Sequence, residues 1–117
     1  MKLNYKNKLS KKDIISGKKA KIDCSIVPDK NLLIHGENLN VMRLLLDTSY
    51  RFDLCYIDPP FSTGSVFYTS KDRSNTVSKS KEDTLAYKDS LHGKQFLEFI
   101  RQRAILIRAL LTENGSF

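Results

Sequence analysis

A strand that ends in an acid and two prolines is the feature that most constrains this chain. Residues 52–57 read FDLCYI, a mostly apolar run, and Asp58-Pro59-Pro60-Phe61 follow directly. Short apolar runs bounded by turn residues are typical of buried strands. In open parallel α/β sheets, ligands bind just beyond the carboxyl ends of the strands. We therefore predict that Asp58 lies at the edge of a parallel sheet, beside a ligand cleft.

The two prolines determine what the backbone offers at that edge. Each proline fixes its φ, lacks an N–H and restricts the residue before it. The segment therefore presents mainly acceptors, which are the carboxylate of Asp58 and the carbonyls of Asp58 and Pro59. Phe61 adds a flat apolar surface, and stacking on such a ring contributes roughly 1–3 kcal/mol per base. This combination suits a nucleobase with an exocyclic amine; the plain alternative is a turn in which Asp58 caps the local backbone.

The residues upstream of this strand predict a βαβ unit. The stretch NLLIH, residues 31–35, is typical of a short buried strand, and Asn38 is a suitable helix cap. Apolar residues then recur at helical spacing, which predicts an amphipathic helix over residues 39–48. Together with the strand at 52–57, this order predicts a right-handed parallel unit.

The residues downstream predict a loop, a helix and the start of a strand. Residues 62–92 are rich in Ser, Thr, Lys and Asp without a sustained period, which predicts a long loop. Helical spacing returns over residues 94–113, and Asn114-Gly115 is a helix-stop signal. Ser116-Phe117 is predicted to begin another strand. His35 is predicted to be a strand residue and not a base, and the arginines of the long helix are predicted to be helix-face charges: Arg101, Arg103 and Arg108.

These elements predict an α/β fold with part of a Rossmann-like parallel sheet. Such a sheet buries both faces, and two strands with two helices cannot complete it. We therefore expect a truncated domain. Residues 1–30 are predicted to be a basic tail and irregular lead-in, and residues 31–117 the N-terminal part of the α/β domain.

The net charge is concentrated at the N-terminus. The formal charge is +7, and residues 1–21 hold eight lysines and one acid, whereas residues 22–117 hold equal numbers of basic and acidic residues. One expectation for such a tail is a solvated, disordered arm. The other is contact with a DNA backbone, because lysines release counterions from phosphates without reading sequence.

The cysteines and the hydropathy pattern suggest neither a metal site nor a membrane segment. Cys24 and Cys55 fit no metal-ligand spacing, and Cys55 alternates within an apolar strand as a small core residue would. The N-terminus is too polar for a signal peptide, and no apolar run approaches the length of a membrane span. We therefore expect a soluble cytoplasmic protein without a metal.

The motif and its surroundings carry a family resemblance. The stretch YIDPPFSTG, preceded by NLLIHGENLNVMRLLL, resembles the amino-group DNA methyltransferases. More narrowly, it resembles the class whose catalytic motif precedes the glycine-rich cofactor motif, which includes type III modification subunits. The later stretch AYKDSLHGKQFLEFIRQRAILIRALLTENGSF resembles the segment after that motif. The similarity covers residues 31–117, with a variable loop near 70–84, and Ser62-Thr63-Gly64 replaces the family's frequent Asn-Thr-Gly.

The resemblance implies catalytic and cofactor roles for a few residues. Asp58 and the Pro59 carbonyl, in a motif that Pro60 stiffens, would accept hydrogen bonds from the amine of a flipped-out adenine, on which Phe61 would stack. The methyl group would move directly from S-adenosylmethionine to nitrogen. Asp instead of Ser at position 58 favours adenine N6 over cytosine N4. Asp58 and Glu37 would lie near the cofactor; for Glu37 the alternative is an acid at a helix N-terminus.

The glycine content limits what the chain can do by itself. The chain has five glycines, none arranged as the glycine-rich cofactor loop of the resembled class. We therefore expect a fragment that carries the methyl-acceptor half of the active site and is inactive alone. The implied partners are double-stranded DNA and a restriction subunit or a second methyltransferase copy. The alternatives are a non-enzymatic basic nucleic-acid-binding module and an N4-cytosine DNA methyltransferase. Methyltransferases that act on RNA or on a protein glutamine more often begin this motif with Asn.

Overall fold

The computed structural model describes residues 4–22, 26, 31–60, 66–70, 73–76, 84–88 and 91–117. Its contacts divide the chain into two compact units. The first unit comprises Met1–Ile57 and Ile100–Phe117, and the second comprises Asp58–Phe99. The elements in chain order are α1 (Lys11–Ile15), α2 (Asn38–Leu46), β1 (Phe52–Leu54), β2 (Val66–Ser70), β3 (Arg73–Thr76), β4 (Thr84–Lys88), α3 (Gly93–Leu110) and β5 (Leu111–Ser116).

The first predicted helix is confirmed as α2, with a different cap. The cap is Glu37, and not the predicted Asn38. One carboxylate oxygen of Glu37 accepts a hydrogen bond from the backbone N–H of Asn40 at 3.1 Å, as an N-cap side chain should. Glutamate is a less common cap than asparagine, which explains why the sequence pattern placed the cap one residue too late.

The second predicted helix is confirmed over most of its length, but its end is wrong. α3 stops at Leu110, and β5 begins at the next residue. Gly115 is therefore not a helix stop but a residue inside β5. A Cβ at this position would lie 2.9 Å from the backbone oxygen of Phe52. The glycine thus permits the close approach of β5 to β1.

β1 and β5 form a two-stranded parallel sheet. Phe52 lies opposite Leu111 and Leu54 opposite Ser116, with an irregularity in between. The N–H of Cys55 donates to the carbonyl of Ser116 at 3.0 Å, so backbone pairing continues one residue beyond β1. β1 is shorter than the strand predicted over 52–57. The predicted α/β class is confirmed, and the Rossmann-like architecture stays a prediction.

The predicted strand at residues 31–35 is wrong. These residues have no regular secondary structure, and the side chain of Leu33 is 97% exposed. Hydrophobic pattern reports which residues can be buried, but a buried strand also needs neighbours that cover it. Among the strands that the structure describes, none pairs with this segment. The predicted βαβ unit beginning at residue 31 is therefore not formed in the described residues.

The predicted loop at residues 62–92 is also wrong, since β2, β3 and β4 lie within it. They form an antiparallel sheet in the order β3-β2-β4, inside the second unit. Phe67 is registered with Tyr87, and Thr69 with Thr84. The sequence of β2, VFYTS, is rich in aromatic and β-branched residues, which favour strands. β3, with the sequence RSNT, is polar, and the residues between the strands are rich in Ser and Lys, so this composition concealed the sheet.

The N-terminal segment is folded against the rest of the first unit over residues 4–22. It contains α1, and Ile14 within α1 is completely buried. The expectation of a disordered arm is therefore wrong for these residues. The core of the first unit joins Ile14 to the end of α3 and the start of β5, through Leu106, Ile107, Leu110 and Leu111. None of the helices in the described ranges combines the length and the hydropathy that a membrane span requires.

Candidate active site

Asp58 follows β1 along the chain by four residues. The backbone of β1 is fixed by β5, and the pairing extends to Cys55. Asp58 is exposed, whereas Pro59 and Pro60 are half-buried, and all three lie outside regular secondary structure. Asp58 was predicted to follow the strand end directly, whereas residues 55–57 separate it from β1, and its place beside a ligand cleft stays a prediction.

In the part of the chain that the structure describes, the carboxylate of Asp58 has no partner in a local turn. Within the described residues, no backbone or side-chain donor binds either of its oxygens. The alternative in which Asp58 caps the adjacent backbone requires such a bond. Because Pro59 and Pro60 contribute no N–H, the nearest downstream residues cannot supply one. The exposed acceptors are therefore open to a ligand.

The remaining members of the motif fall outside the described part of the chain. Phe61, for which stacking on a base was predicted, belongs to this group, as does the stretch Ser62-Thr63-Gly64. Their roles remain predictions. Pro59 and Pro60 are described and half-buried.

Glu37 is engaged within the protein. Besides capping α2, it accepts a hydrogen bond from the guanidinium of Arg103 at 2.9 Å, so both carboxylate oxygens have partners. Its side chain is 49% exposed. Glu37 belongs to the first unit and Asp58 to the second. The geometry matches the helix N-terminal acid that was the alternative to a cofactor ligand.

Arg103 is a structural residue that the sequence interpretation missed. It was expected to be a helix-face charge, but it is only 9% exposed. Burial lowers the pKa of Arg103, the carboxylate of Glu37 opposes this effect, and the charge of Arg43 adds to it. A signal was present in the sequence, because Arg103 precedes Leu106 and Ile107 by three and four residues. That spacing puts the arginine on the apolar face of α3.

Arg43 plays the same part on α2. It is 8% exposed, and its Nε donates to the carbonyl of Ile14 at 2.7 Å. A second nitrogen donates to the carbonyl of Lys18 at 3.2 Å. Gly17 makes room for this side chain, since a Cβ there would lie 2.5 Å from the guanidinium carbon. Arg43 therefore holds the N-terminal segment against α2.

The other two arginines of α3 differ from each other. Arg108 is exposed and donates to the carbonyl of Thr112, which agrees with the predicted helix-face charge. Arg101 donates to the hydroxyl of Tyr5 and to the carbonyl of Leu9. The helix-face interpretation thus holds for Arg108, whereas Arg101 anchors the N-terminal segment.

The first unit contains an apolar cavity of about 300 Å³. Its lining comes from α2, β1, α3 and the start of β5, and it comprises Met42, Leu45, Phe52, Leu54, Cys55, Tyr56, Ile107, Leu110 and Leu111. Few hydrogen-bonding groups face it, so it fits apolar side chains and not a charged cofactor.

Partial burial raises the pKa of Cys55, so its thiol stays protonated to higher pH than a free cysteine. Cys55 is half-buried, which is less than the predicted core position.

The chain is similar to methyltransferases of restriction–modification enzymes. It is 28% identical to the type II methyltransferase M.EcaI of Enterobacter cloacae over 123 aligned residues, which cover 97% of this chain. It is 32% identical to the StyLTI Mod subunit of Salmonella typhimurium over 97 residues, covering 73% of this chain. It is 31% identical to the EcoPI Mod subunit of Escherichia phage P1 over 100 residues, covering 74%.

The aligned part is a small share of each relative. The chain spans 25% of the M.EcaI methyltransferase, 15% of the StyLTI Mod subunit and 16% of the EcoPI Mod subunit. No protein-family model matches the chain. No solved structure matches it either. The similarity agrees with the predicted relation to type III modification subunits and supports a DNA methyltransferase.

Proposed function

We propose that this chain forms the methyl-acceptor part of a DNA adenine-N6 methyltransferase of a restriction–modification system. The observation that carries the proposal is the Asp58 carboxylate, exposed and without a donor in the described residues, directly after the segment that leaves β1. The methyltransferases and modification subunits to which the chain is similar support the reaction class.

Asp58 and the Pro59 carbonyl hold the amine of the target base. A carboxylate and a carbonyl accept the two N–H bonds of an exocyclic amine and leave its lone pair directed at the methyl donor. As the nitrogen gains the methyl group it becomes more positive, and a fixed negative oxygen stabilises that charge. Phe61 stacks on the base. A base inside a duplex cannot reach such a site, so the target adenine is flipped out of the helix.

Neither Glu37 nor the apolar cavity of the first unit suits the methyl donor. The donor is S-adenosylmethionine by the family resemblance. Glu37, the residue expected near it, has both carboxylate oxygens committed to Asn40 and Arg103. The cavity of the first unit is lined by apolar groups and does not fit a cofactor with charged groups. The donor site therefore requires residues other than the described ones, and this chain by itself is inactive in methyl transfer.

The partners follow from the same proposal. The substrate is double-stranded DNA, and a restriction subunit or a second methyltransferase copy completes the assembly. Cytosine N4 is the alternative substrate, because its amine presents the same two N–H bonds to the same acceptors. The aspartate at position 58 favours adenine by the family pattern. A non-enzymatic basic module is the alternative function, and it is favoured only by the lysine-rich N-terminus.

A chimera tests the proposed function. The aligned stretch of the StyLTI Mod subunit is replaced by the corresponding residues of this chain, and transfer of a labelled methyl group to duplex DNA is measured. The digested product identifies the base. N6-methyladenine is the expected product, whereas N4-methylcytosine would establish the alternative substrate. A chimera that folds and binds DNA like the parent subunit but transfers no methyl group would contradict the proposal.

A further inference from the structure

The N-terminal lysines lie on a folded segment and not on a free arm. Residues 4–22, here called the lysine segment, contain seven lysines and one acid, Asp13. All seven lysines are exposed. The fold therefore sets the spacing between these positive charges, whereas the charges on a disordered tail would have no fixed spacing.

Backbone contacts with α2 fix the second half of the lysine segment. Arg43 donates from its buried guanidinium to the carbonyls of Ile14 and Lys18. The N–H of Ala20 donates to the carbonyl of Asn40 at 2.9 Å. The segment therefore runs along α2 with its backbone held and its lysine side chains turned to solvent.

Contacts with α3 fix the first half. Arg101 donates to the hydroxyl of Tyr5 at 2.9 Å and to the carbonyl of Leu9 at 2.5 Å. Lys8 lies near the ring of Tyr5, with its nitrogen 5.9 Å from the ring centre. The lysine segment is thus attached at both of its halves to helices of the first unit.

The lysines of the segment differ in how far they are already paired. Lys19 forms an ion pair with Asp47, and both of its contacts lie at or below 2.7 Å. Asp13 accepts a hydrogen bond from Ser10, on its own side of α1. Five lysines have no acidic partner in the described residues: Lys6, Lys11, Lys12, Lys18 and Lys21.

We infer that the lysine segment is a binding surface for the phosphate backbone of duplex DNA. The inference rests on the proposed function, which makes DNA the substrate, and adds the surface that contacts it. Lysines at fixed positions neutralise phosphates with less ordering cost than lysines on a free arm. The contact is independent of sequence, so it supplies affinity and leaves recognition to other residues.

A membrane surface is the less suitable polyanion. Interfacial helices insert an apolar face between lipids while their basic face contacts the headgroups. Of the two apolar residues of α1, Ile14 is completely buried and Ile15 is half-buried, so α1 has little apolar surface to insert between lipids. Phosphate contact through charge alone remains, and a DNA duplex presents phosphates at high linear density.

Salt dependence of DNA binding tests the surface in the full 117-residue chain. Affinity for a short labelled duplex is measured by fluorescence anisotropy between about 50 and 200 mM salt, and each lost phosphate contact lowers the slope of log affinity against log salt by about 0.9. The double variant Lys11→Gln, Lys12→Gln is expected to lower the slope by up to about 1.8. The control variant Lys19→Gln is expected to leave it nearly unchanged, because Lys19 is already paired with Asp47.

Two further measurements keep the inference falsifiable. Acetylation of Lys11 and Lys12 in the unmodified chain should be suppressed by DNA. An unchanged salt slope in the double variant, unchanged acetylation of Lys11 and Lys12, or equal affinity for anionic lipid vesicles would overturn the inference. The salt slope is measured on the 117-residue chain and methyl transfer on the chimeric subunit, so failure of the lysine surface and failure of the methyl-transfer proposal are separable.

Discussion

Two parts of the first unit differ in how far their apolar side chains are buried. The helical side consists of α1, α2 and the part of α3 in this unit, and the strand side consists of the two segments predicted to be strands, residues 31–35 and 52–57. On the helical side Ile14 and Leu106 are completely buried. On the strand side the side chains of Leu33, Leu54 and Tyr56 are 97%, 72% and 88% exposed. A helix can bury its apolar stripe against one other helix, whereas a parallel strand needs neighbours on its edges and faces. The hydrophobic pattern of the sequence was therefore enough to predict α2 and α3. It failed at residues 31–35, where a strand would need a neighbour in a sheet.

The largest expected effect is a core truncation on the helical side. Leu106→Ala removes a fully buried side chain, and such changes cost about 2–5 kcal/mol. Leu33→Ala, the matched change on the strand side, should alter the free energy of unfolding by less than about 0.5 kcal/mol. Urea unfolding of the two variants measures both. Equal losses of stability would contradict the difference in burial.

A smaller loss is expected when the buried arginine of α2 is replaced. Arg43→Met removes the charged hydrogen bonds to Ile14 and Lys18, and bonds of this kind contribute about 1.5–3 kcal/mol. The lysine segment should then become sensitive to trypsin. Arg51→Met is the control, because Arg51 is exposed and binds only carbonyls close to it along the chain. A lysine segment that stays resistant to trypsin in Arg43→Met would show that Arg43 does not hold it.

The ion pair between Glu37 and Arg103 should couple α2 to α3 by about 1 kcal/mol, because one partner is buried and the other half-exposed. A double-mutant cycle with Glu37→Gln and Arg103→Met, followed by thermal unfolding, measures this coupling. The result also bears on the role of Glu37. A coupling of zero would free the carboxylate for the cofactor contact that the family resemblance implies.

The smallest expected effect is chemical. Burial raises the pKa of Cys55, and only the thiolate reacts with alkylating agents. At a given pH the folded chain should therefore be alkylated more slowly than the same chain in urea, and its rate should rise at higher pH. A Cys24→Ser variant restricts the measurement to Cys55. Identical pH–rate profiles for the folded and unfolded chains would show that the thiol of Cys55 is exposed to water in the fold, and would contradict this prediction.

Sequence pattern alone predicted α2 and α3 but not α1, and the place of Asp58 beside a ligand cleft stays a prediction. It found α2 and most of α3, because their apolar residues repeat at helical spacing over several turns. It missed the roles of Arg43 and Arg103, which are buried on apolar faces where a charge is uncommon. It missed β2 to β4, since these strands are short and stand among polar residues without a sustained period.

The site was predictable to the same extent. The irregular segment that contains Asp58 was predictable from Pro59 and Pro60, which are local in sequence, but β1 ends at Leu54 and not at Ile57 as predicted. The engagement of Glu37 was not predictable, because its partner Arg103 lies 66 residues away in the chain. Contacts of this range depend on how α2 and α3 pack, and no local pattern reports that packing.

Methyl transfer by the chimeric subunit with and without Asp58 tests the central claim most directly. The claim is that the exposed carboxylate after β1 holds the amine of the target base. Asp58→Ala should lower the rate of adenine methylation by about 10²-fold or more, as removal of a group that stabilises transition-state charge does, while DNA affinity stays unchanged. Asp53→Ala, on β1 itself, should have little effect on the rate. Methylation that persists at the original rate in Asp58→Ala would contradict the account.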